Sequence, residues 1–501
     1  MPGSIMAGME ALGGALYTAG QVRNLDRRAI HELGIPGYEL MTRAGHATLN
    51  ALRALWPAAR SITVLCGPGN NGGDGYVVAR VARAQGVAAH VVALGDPRQL
   101  AGDARRAYDD FVAAGGRCEP WAPALLESDV IVDALYGTGL GRAVSGEAAS
   151  MIEAVNASGR PVVAVDLPSG LHADSGAVLG IATHAALTVT FIGRKLGCCL
   201  GAGPEHVGHV VFDGLQVPAE TYALTTPAAR LLDEACVRAA LPRRRRTAHK
   251  GDYGHVLVIG GGPGMPGAAR LAGEAALRSG AGLVTLAVHA ENTGVVAARP
   301  ELMCVAARSP ADLTGALSRA TVVAVGPGLG QSGWAREMLE AALACGTPLV
   351  IDADALNLLA AAPRRNEHWV ITPHPGEAAR LLGTTTATVQ SDRLAAAAQL
   401  QARYGGTVVL KGAGTVVHGG GQVPRICDRG NPGMATGGMG DVLTGVIAGI
   451  AAQCANLDLA AQAGTFVHGQ AGDLAARRGE RGLLACDVLE QVRACVNPAC
   501  T

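Results

Sequence analysis

Short apolar segments, each running out at a glycine loop or a carboxylate with helix-spaced stretches between them, leave this chain few folds to adopt. Ser61-Ile62-Thr63-Val64-Leu65-Cys66 leads at once into Gly67-Pro68-Gly69-Asn70-Asn71-Gly72-Gly73-Asp74-Gly75, and residues 76–85 then take helical spacing. Residues 88–94 read as the next strand and 103–114 as a helix. Val130-Ile131-Val132-Asp133 is a strand ending on a carboxylate, and 161–165 repeats the pattern into Asp166-Leu167-Pro168-Ser169-Gly170. Upstream, 17–55 reads as two helices, the first capped by Thr18, with Leu33-Gly34-Ile35-Pro36-Gly37 as the break. Strands apolar on both faces and alternating with helices indicate a parallel sheet covered on both sides, so the fold class is α/β.

A second series begins after a stretch, 214–247, that loses the strand pattern and holds Pro218, Pro227, Pro242 and the run Arg243-Arg244-Arg245-Arg246. Its strands are 255–259, 283–288, 321–325, 348–351, 369–371 and 407–410, with helices at 268–279 and about 441–452. The two series share no period that aligns them, which makes them two domains rather than repeats. A length of 501 residues allows this, since length over 150 gives about three domains as a prior. The arginine run could clamp a phosphate but is read as a solvated loop, and residues 1–16 as a loose tail.

Lys+Arg 41 balances Asp+Glu 41, which excludes a basic nucleic-acid footprint as the main business of the chain. Twelve cysteines without a C-x-x-C pair suit a reduced, cytoplasmic protein better than a disulfide or zinc framework. No apolar run reaches 18 residues, so no membrane span is expected. Gly is 70 of 501, about twice the average usage of roughly 7%, and points to tight turns or close approaches of backbone to ligand.

Ligands of open α/β sheets bind outside the carboxyl ends of the strands. In the first half that rim carries Asn70, Asn71, Gly72, Gly73 and Asp74, a glycine loop opening a helix and suited to phosphate. It also carries Asp133, the loop Gly137-Thr138-Gly139-Leu140-Gly141-Arg142-Ala143, and Asp166 with Ser169. The hard oxygens of such a set could share a substrate and a cation; the plainer alternative is that the aspartates cap helices. The spacing is not that of the dinucleotide fingerprint. In the second half, Gly437-Gly438-Met439-Gly440-Asp441 precedes an apolar helix, so N–H groups and a helix end converge beside a carboxylate. That arrangement suits a transferring phosphoryl group, with Asp441 taking the proton of an attacking hydroxyl. Lys411 closes a strand in Lys411-Gly412-Ala413-Gly414-Thr415, where it could hold nucleotide phosphates or simply snorkel. His374 sits between two prolines at another strand end, structural or functional, and Glu377 could hold Mg²⁺ through water or stand exposed at a helix start.

These motifs carry a resemblance. Gly67-Pro-Gly-Asn-Asn-Gly-Gly-Asp-Gly75, Val132-Asp-Ala-Leu-Tyr-Gly-Thr-Gly139 and Val165-Asp-Leu-Pro-Ser-Gly170 resemble the NAD(P)H-hydrate epimerase domain of YjeF N-terminal type. His249-Lys-Gly-Asp-Tyr-Gly254, Gly326-Pro-Gly-Leu-Gly330, Thr372-Pro-His-Pro-Gly-Glu377 and Asn431-Pro-Gly-Met-Ala-Thr-Gly-Gly-Met-Gly-Asp441 resemble the ADP/ATP-dependent NAD(P)H-hydrate dehydratase of the ribokinase-like superfamily. The order is that of the bifunctional repair enzymes of nicotinamide nucleotides.

The resemblance implies two three-layer αβα domains with mostly parallel sheets, Rossmann-like over 17–222 and ribokinase-like over 248–501, joined by 223–247. It implies epimerisation of (R)- and (S)-NAD(P)HX by the first and ADP-dependent dehydration of (S)-NAD(P)HX by the second, with release of AMP and phosphate. Asn70 to Asp74, Gly137 to Ala143 and Asp166 would surround the epimerase substrate, and Asn71, Asp133 and Ser169 would hold K⁺. Asp133 or Asp166 would move the proton. Ala268, Gly330 (or Gly328), His374 and Asp441 fall at the dehydratase substrate positions, and Lys411 to Thr415 with Gly440 at the nucleotide positions, Mg²⁺ bridging the phosphates. Thr42 stands where an acidic residue is expected. A homo-oligomer is expected by family analogy alone. A vitamin-precursor kinase, which would leave a stable phosphorylated product, and a noncatalytic scaffold are the rival readings.

Overall fold

In the computed structural model, which describes residues 14–498, the apolar runs that end in glycine loops or carboxylates are strands. The chain divides into two units, one ending at Arg230 and the next beginning at Leu231.

The first unit opens with β1 (Ala15–Tyr17), α1 (Ala19–His31) and α2 (Gly37–Leu55). Thr18 caps α1 as expected, accepting from the Gln21 N–H while Gln21 reaches back to the Thr18 N–H. Then follow β2 (Ser61–Cys66), α3 (Asn70–Ala84), β3 (Ala88–Ala93), α4 (Gly102–Ala113) and β4 (Cys118–Glu119). The unit continues with β5 (Val130–Ala134), α5 (Glu147–Ala157), β6 (Val162–Val165), β7 (Leu187–Phe191), β8 (Arg194–Lys195), β9 (His209–Asp213) and β10 (Ala229–Leu231). Its main sheet has the order β4-β3-β2-β5-β6-β7-β9, parallel throughout. The order reverses between β2 and β5, so the loops leaving them part and open a crevice.

Two expectations need correction. Ala15 and Leu16, read as part of a loose tail, are buried in β1, which pairs antiparallel with β10 and parallel with β8; residues 1–13 of that tail lie outside the described residues. The helix expected from residue 76 starts at Asn70, so the glycine loop is itself the first helical turns. Gly72 makes this possible: a Cβ there would overlap the carbonyl oxygen of Gly67. At Gly73 it would press on Met41 and Ala104 at 2.7–3.0 Å.

The second unit begins inside the stretch expected to be a junction, with α6 (Glu234–Ala240). It continues through β11 (His255–Ile259), α7 (Pro266–Arg278), β12 (Leu283–His289), β13 (Met303–Ala307), β14 (Val322–Val325), α8 (Gly333–Ala344), β15 (Leu349–Ile351) and α9 (Ala353–Ala361). After these come β16 (Trp369–Ile371), α10 (Pro375–Leu382), α11 (Thr386–Ser391), α12 (Arg393–Tyr404), β17 (Thr407–Leu410), β18 (Thr415–Gly419) and β19 (Arg425–Cys427). Three helices close the unit: α13 (Met439–Ala451), α14 (Leu457–Ala475) and α15 (Ala485–Cys495). The strand order is β13-β12-β11-β14-β15-β16-β17-β18-β19, parallel to β17 and antiparallel beyond it. Here the reversal lies between β11 and β14, between the loops 260–265 and 326–330. With aromatics at 3%, the core is built from Ala, Val, Leu and Ile, and glycines let the layers close. Among the described residues no helix is long and apolar enough to cross a membrane.

Two candidate active sites

At the crevice of the first unit, Asn71 and Gly137 face one another across the two diverging loops: the Asn71 amide oxygen is 3.1 Å from where a Cβ on Gly137 would stand. The Asn71 amide nitrogen is buried without a hydrogen-bond partner. Asp133, at the end of β5, is 1% exposed. It accepts from the Ser169 N–H (2.8 Å), the Ser169 hydroxyl (2.6 Å) and the Leu135 N–H (3.2 Å). Burial raises its carboxyl, and the groups opposing that rise are neutral donors on Ser169, Leu135 and Thr183. Pinned in this way, Asp133 is poorly placed to carry a proton. The 137–143 loop, by contrast, lies half-buried to exposed along the rim.

Asp166 follows β6 with φ 67°, left-handed backbone that a non-glycine residue adopts at a cost. Its carboxylate is ion-paired with Lys195, which is 1% exposed and also donates to the Thr190 hydroxyl (3.2 Å) and the Phe191 carbonyl (3.0 Å). The Phe191 N–H donates to the same Asp166 oxygen at 3.2 Å. Asp74 and Asp26 lie within electrostatic reach of this pair. Burial pushes Asp74 well above the usual carboxylate range, with Asp166 and Asp26 adding to the rise and Lys195 opposing it. Asp26 is pushed up to about 6, chiefly by burial. A single ammonium, Lys195, thus stands among these three carboxyls, and burial raises Asp74 and Asp26. Lys195 and Asp26 escaped sequence reading, because Lys195 ends the two-residue strand β8 and Asp26 sits inside the amphipathic helix α1; neither stands in a glycine loop.

In the second unit, Gly438 adopts φ 90° at the start of α13, and Asp441 stands in the first turn. Burial drives the Asp441 carboxyl up to about 7, Asp352 and Asp354 adding to the rise and Lys411 opposing it. Lys411 is no surface lysine: its ammonium donates to Asp352 Oδ1 at 2.6 Å and stands 3.7 Å from Glu377. Asp352, 1% exposed, also accepts from the Thr372 hydroxyl (2.8 Å) and the Thr444 hydroxyl (2.8 Å). A Cβ on Gly440 would stand 3.4 Å from the Lys411 ammonium and 3.5 Å from Asp352, so the loop 437–441 and the Lys411 strand end converge. Asp352 and Asp354, at the end of β15 and the start of α9, carry no role in the sequence reading.

His374 caps α10: its Nδ1 accepts from the Gly376 N–H (3.0 Å) and the Glu377 N–H (3.3 Å). That leaves the proton on Nε2, and burial with nearby Lys411 and Arg380 lowers the ring's pKa. Glu377 is buried rather than exposed; its Oε2 accepts from the His374 N–H at 2.7 Å. Gly328 is packed beneath Ala268 and Met265, whose Cβ atoms would lie 3.0 Å from a Cβ on it, while Gly330 is half-buried and donates to Asp354 at 2.8 Å. Between the two alternatives Gly330 is the one open to a ligand. The loop 411–415 is clamped from below by Arg393, 3% exposed, which donates to the carbonyls of Leu410 (3.0 Å) and Lys411 (3.1 Å). Arg393 too went unnoticed in the sequence, since it lies at the start of a helix remote from the motif.

Two family models match the chain: YjeF-related protein N-terminus over residues 37–197, and NAD(P)H-hydrate dehydratase over 256–493. The bifunctional NAD(P)H-hydrate repair enzyme of Coxiella burnetii is 49% identical, covering 96% of this chain and 99% of that one. The corresponding enzyme of Escherichia coli is 45% identical, covering 97% and 95%. Among solved structures, a ribokinase-like superfamily protein of Enterococcus faecalis is 31% identical with a TM-score of 0.50, covering 55% of this chain and 97% of that chain. The ADP/ATP-dependent NAD(P)H-hydrate dehydratase of Bacillus subtilis, co-crystallised with ATP and Mg²⁺, is 29% identical with a TM-score of 0.48, covering 55% and 98%.

Proposed function

Since the chain belongs to the family of bifunctional NAD(P)H-hydrate repair enzymes, we propose that its two rims divide the work residue by residue. The chain repairs hydrated nicotinamide coenzymes, as epimerase and as nucleotide-dependent dehydratase. In the second unit Asp441 is the base. At its raised pKa it takes the proton of the C6 hydroxyl of (S)-NAD(P)HX, and the oxygen attacks the terminal phosphate of ADP, releasing AMP. The N–H groups of 437–440 and the Lys411 ammonium receive the phosphoryl charge. The ring nitrogen then expels phosphate from C6, and loss of a proton from C5 restores the ring double bond. His374 offers its Nε2–H, and Ala268 and Gly330 their backbone, to the coenzyme; 411–415 and Gly440 hold the nucleotide. Mg²⁺ would neutralise the phosphates. Glu377 suits an outer role only, through water, because its carboxylate is already engaged in the cap of α10.

In the first unit Asp166, oriented by Lys195, exchanges the proton with the water that leaves and returns at C6. Asp74, its carboxyl raised well above the usual carboxylate range by burial, protonates the departing hydroxyl. Asn70 to Asp74 and the loop 137–143 enclose the coenzyme. K⁺ suits Asn71, Asp133 and Ser169: a buried carboxylate opposed only by neutral donors is relieved by a monovalent cation. The convergence of Asp441, Lys411 and Asp352 at the head of α13 carries this reading. Its test is a chromatographic assay of (R)- and (S)-NAD(P)HX with ADP, in which restored coenzyme, AMP and phosphate should appear in equal amounts. A stable phosphorylated coenzyme would instead make the second unit a kinase.

A further inference from the structure

The chain has four Trp residues, and one of them stands on the rim of the second unit. Trp334, at the start of α8, is half-buried, and its indole N–H donates to the Ala307 carbonyl at the end of β13 (2.8 Å). The ring meets His289, the last residue of β12, edge to face: the centroids are 5.3 Å apart at 83°. His289 Nδ1 has no hydrogen-bond partner, its nearest charge being Glu291 at 3.8 Å. The His289 backbone donates to the Gly261 carbonyl (3.2 Å), and Asn292 donates to Gly261 (3.0 Å) and Gly262 (2.8 Å). Gly262 in turn donates to Gly328 (2.7 Å). The aromatic pair is thus fastened to the loop 260–265, which leads into α7 and Ala268, and through it to the loop that carries Gly330. Met265, 41% exposed, reaches within 3.7 Å of a Cβ on Gly330 and extends the same ledge.

From this placement we infer that Trp334, with the His289 ring set perpendicular to it, is the stacking platform for the adenine ring of the hydrated coenzyme, the ring that does not react. The inference rests on the dehydratase reading above and adds a coenzyme-binding residue to it. Asp441 heads α13, which packs on β14 and β15, so two to three strand spacings, roughly 10–15 Å, separate it from β12. Two riboses and a pyrophosphate set the rings of a dinucleotide apart in the same way, so a nicotinamide ring at Asp441 sends its adenine towards β12 and β13. The adenine of ADP is excluded from this ledge by direction, because on that reading its phosphates lie at Lys411, just past β17 and at the other side of Asp441. Aromatic stacking suits the task, being strong and indifferent to the ring's substituents.

Steady-state dehydration by Trp334→Ala, Trp334→Phe and wild type tests this. Trp334→Ala should raise KM for (S)-NADPHX about tenfold with kcat nearly kept, leave KM for ADP and epimerisation unchanged, and Trp334→Phe should recover most of the loss. An unchanged KM for the coenzyme, or a rise in KM for ADP instead, would overturn the inference. If Trp334→Ala does not fold, Trp334→Leu and the quenching of wild-type indole fluorescence by NADP⁺ decide in its place. Quenching absent from Trp334→Phe supports the platform, and quenching retained there refutes it. A wild-type protein that forms no phosphate would sink the dehydratase reading rather than this one.

Discussion

A carboxyl held near neutrality is the sharpest residue-scale feature of the second unit. Because Asp441 must be ionised to act as base, dehydration kcat/KM should fall about tenfold per pH unit below about 7, and a flat profile between pH 5 and 8 would be inconsistent with it. The same shift has a sign for stability. A folded-state pKa above the unfolded value means stability present at low pH and lost as pH rises through about 7. Asp441→Asn should therefore melt higher than wild type at pH 8, by a few degrees, with the gap closing at pH 5. In the first unit, Lys195→Met leaves the half-buried Asp166 beside two further carboxyls without the counter-charge Lys195 supplies. We expect epimerisation to fall about a hundredfold, with a loss of about 3–5 kcal/mol in that unit by denaturant titration, and dehydration of pure S epimer to persist.

At the scale of elements, glycines decide how closely the layers approach the site. On α13 a Cβ at Gly445 would overlap the Ala272 carbonyl of α7, and one at Gly449 the Ser279 hydroxyl. Gly445→Ala should push α13 off α7, costing about 1–3 kcal/mol, and lower dehydration more than it lowers stability, because Asp441 rides on the same helix. Wild-type phosphate release from a stably folded Gly445→Ala protein would contradict that coupling. These elements were largely legible: β2, β11, β16 and β17 lie where apolar runs meet glycine loops. Unannounced were β1, β8 and β10, two or three residues long and held by pairing rather than by local pattern, and also the longer β7, β9, β13 and β18. The Asn70 helix start was hidden for a related reason. Gly72 and Gly73 read as loop until the backbone they pack against is in place. Site residues inside glycine loops were readable for the same reason that Lys195, Asp26, Asp352 and Arg393 were not: the former mark the chain locally, the latter act only through distant partners.

For the whole molecule, two chemistries on separate rims predict separable failures. Asp166→Asn should consume the S epimer of a mixed NADHX sample with ADP and then stall, whereas Asp441→Asn should equilibrate the epimers and consume neither. The described cysteines form no disulfide, and the 41 basic residues balance the 41 acidic ones, so neither reaction has a disulfide or a strong net field among the described residues to depend on. The most direct measurement is phosphate released per NADH restored from (S)-NADHX with ADP, in wild type and in folded Asp441→Asn protein. One phosphate per NADH in wild type, and at least a hundredfold slower release in the variant, is the result expected. Undiminished release by Asp441→Asn would contradict the assignment of the base.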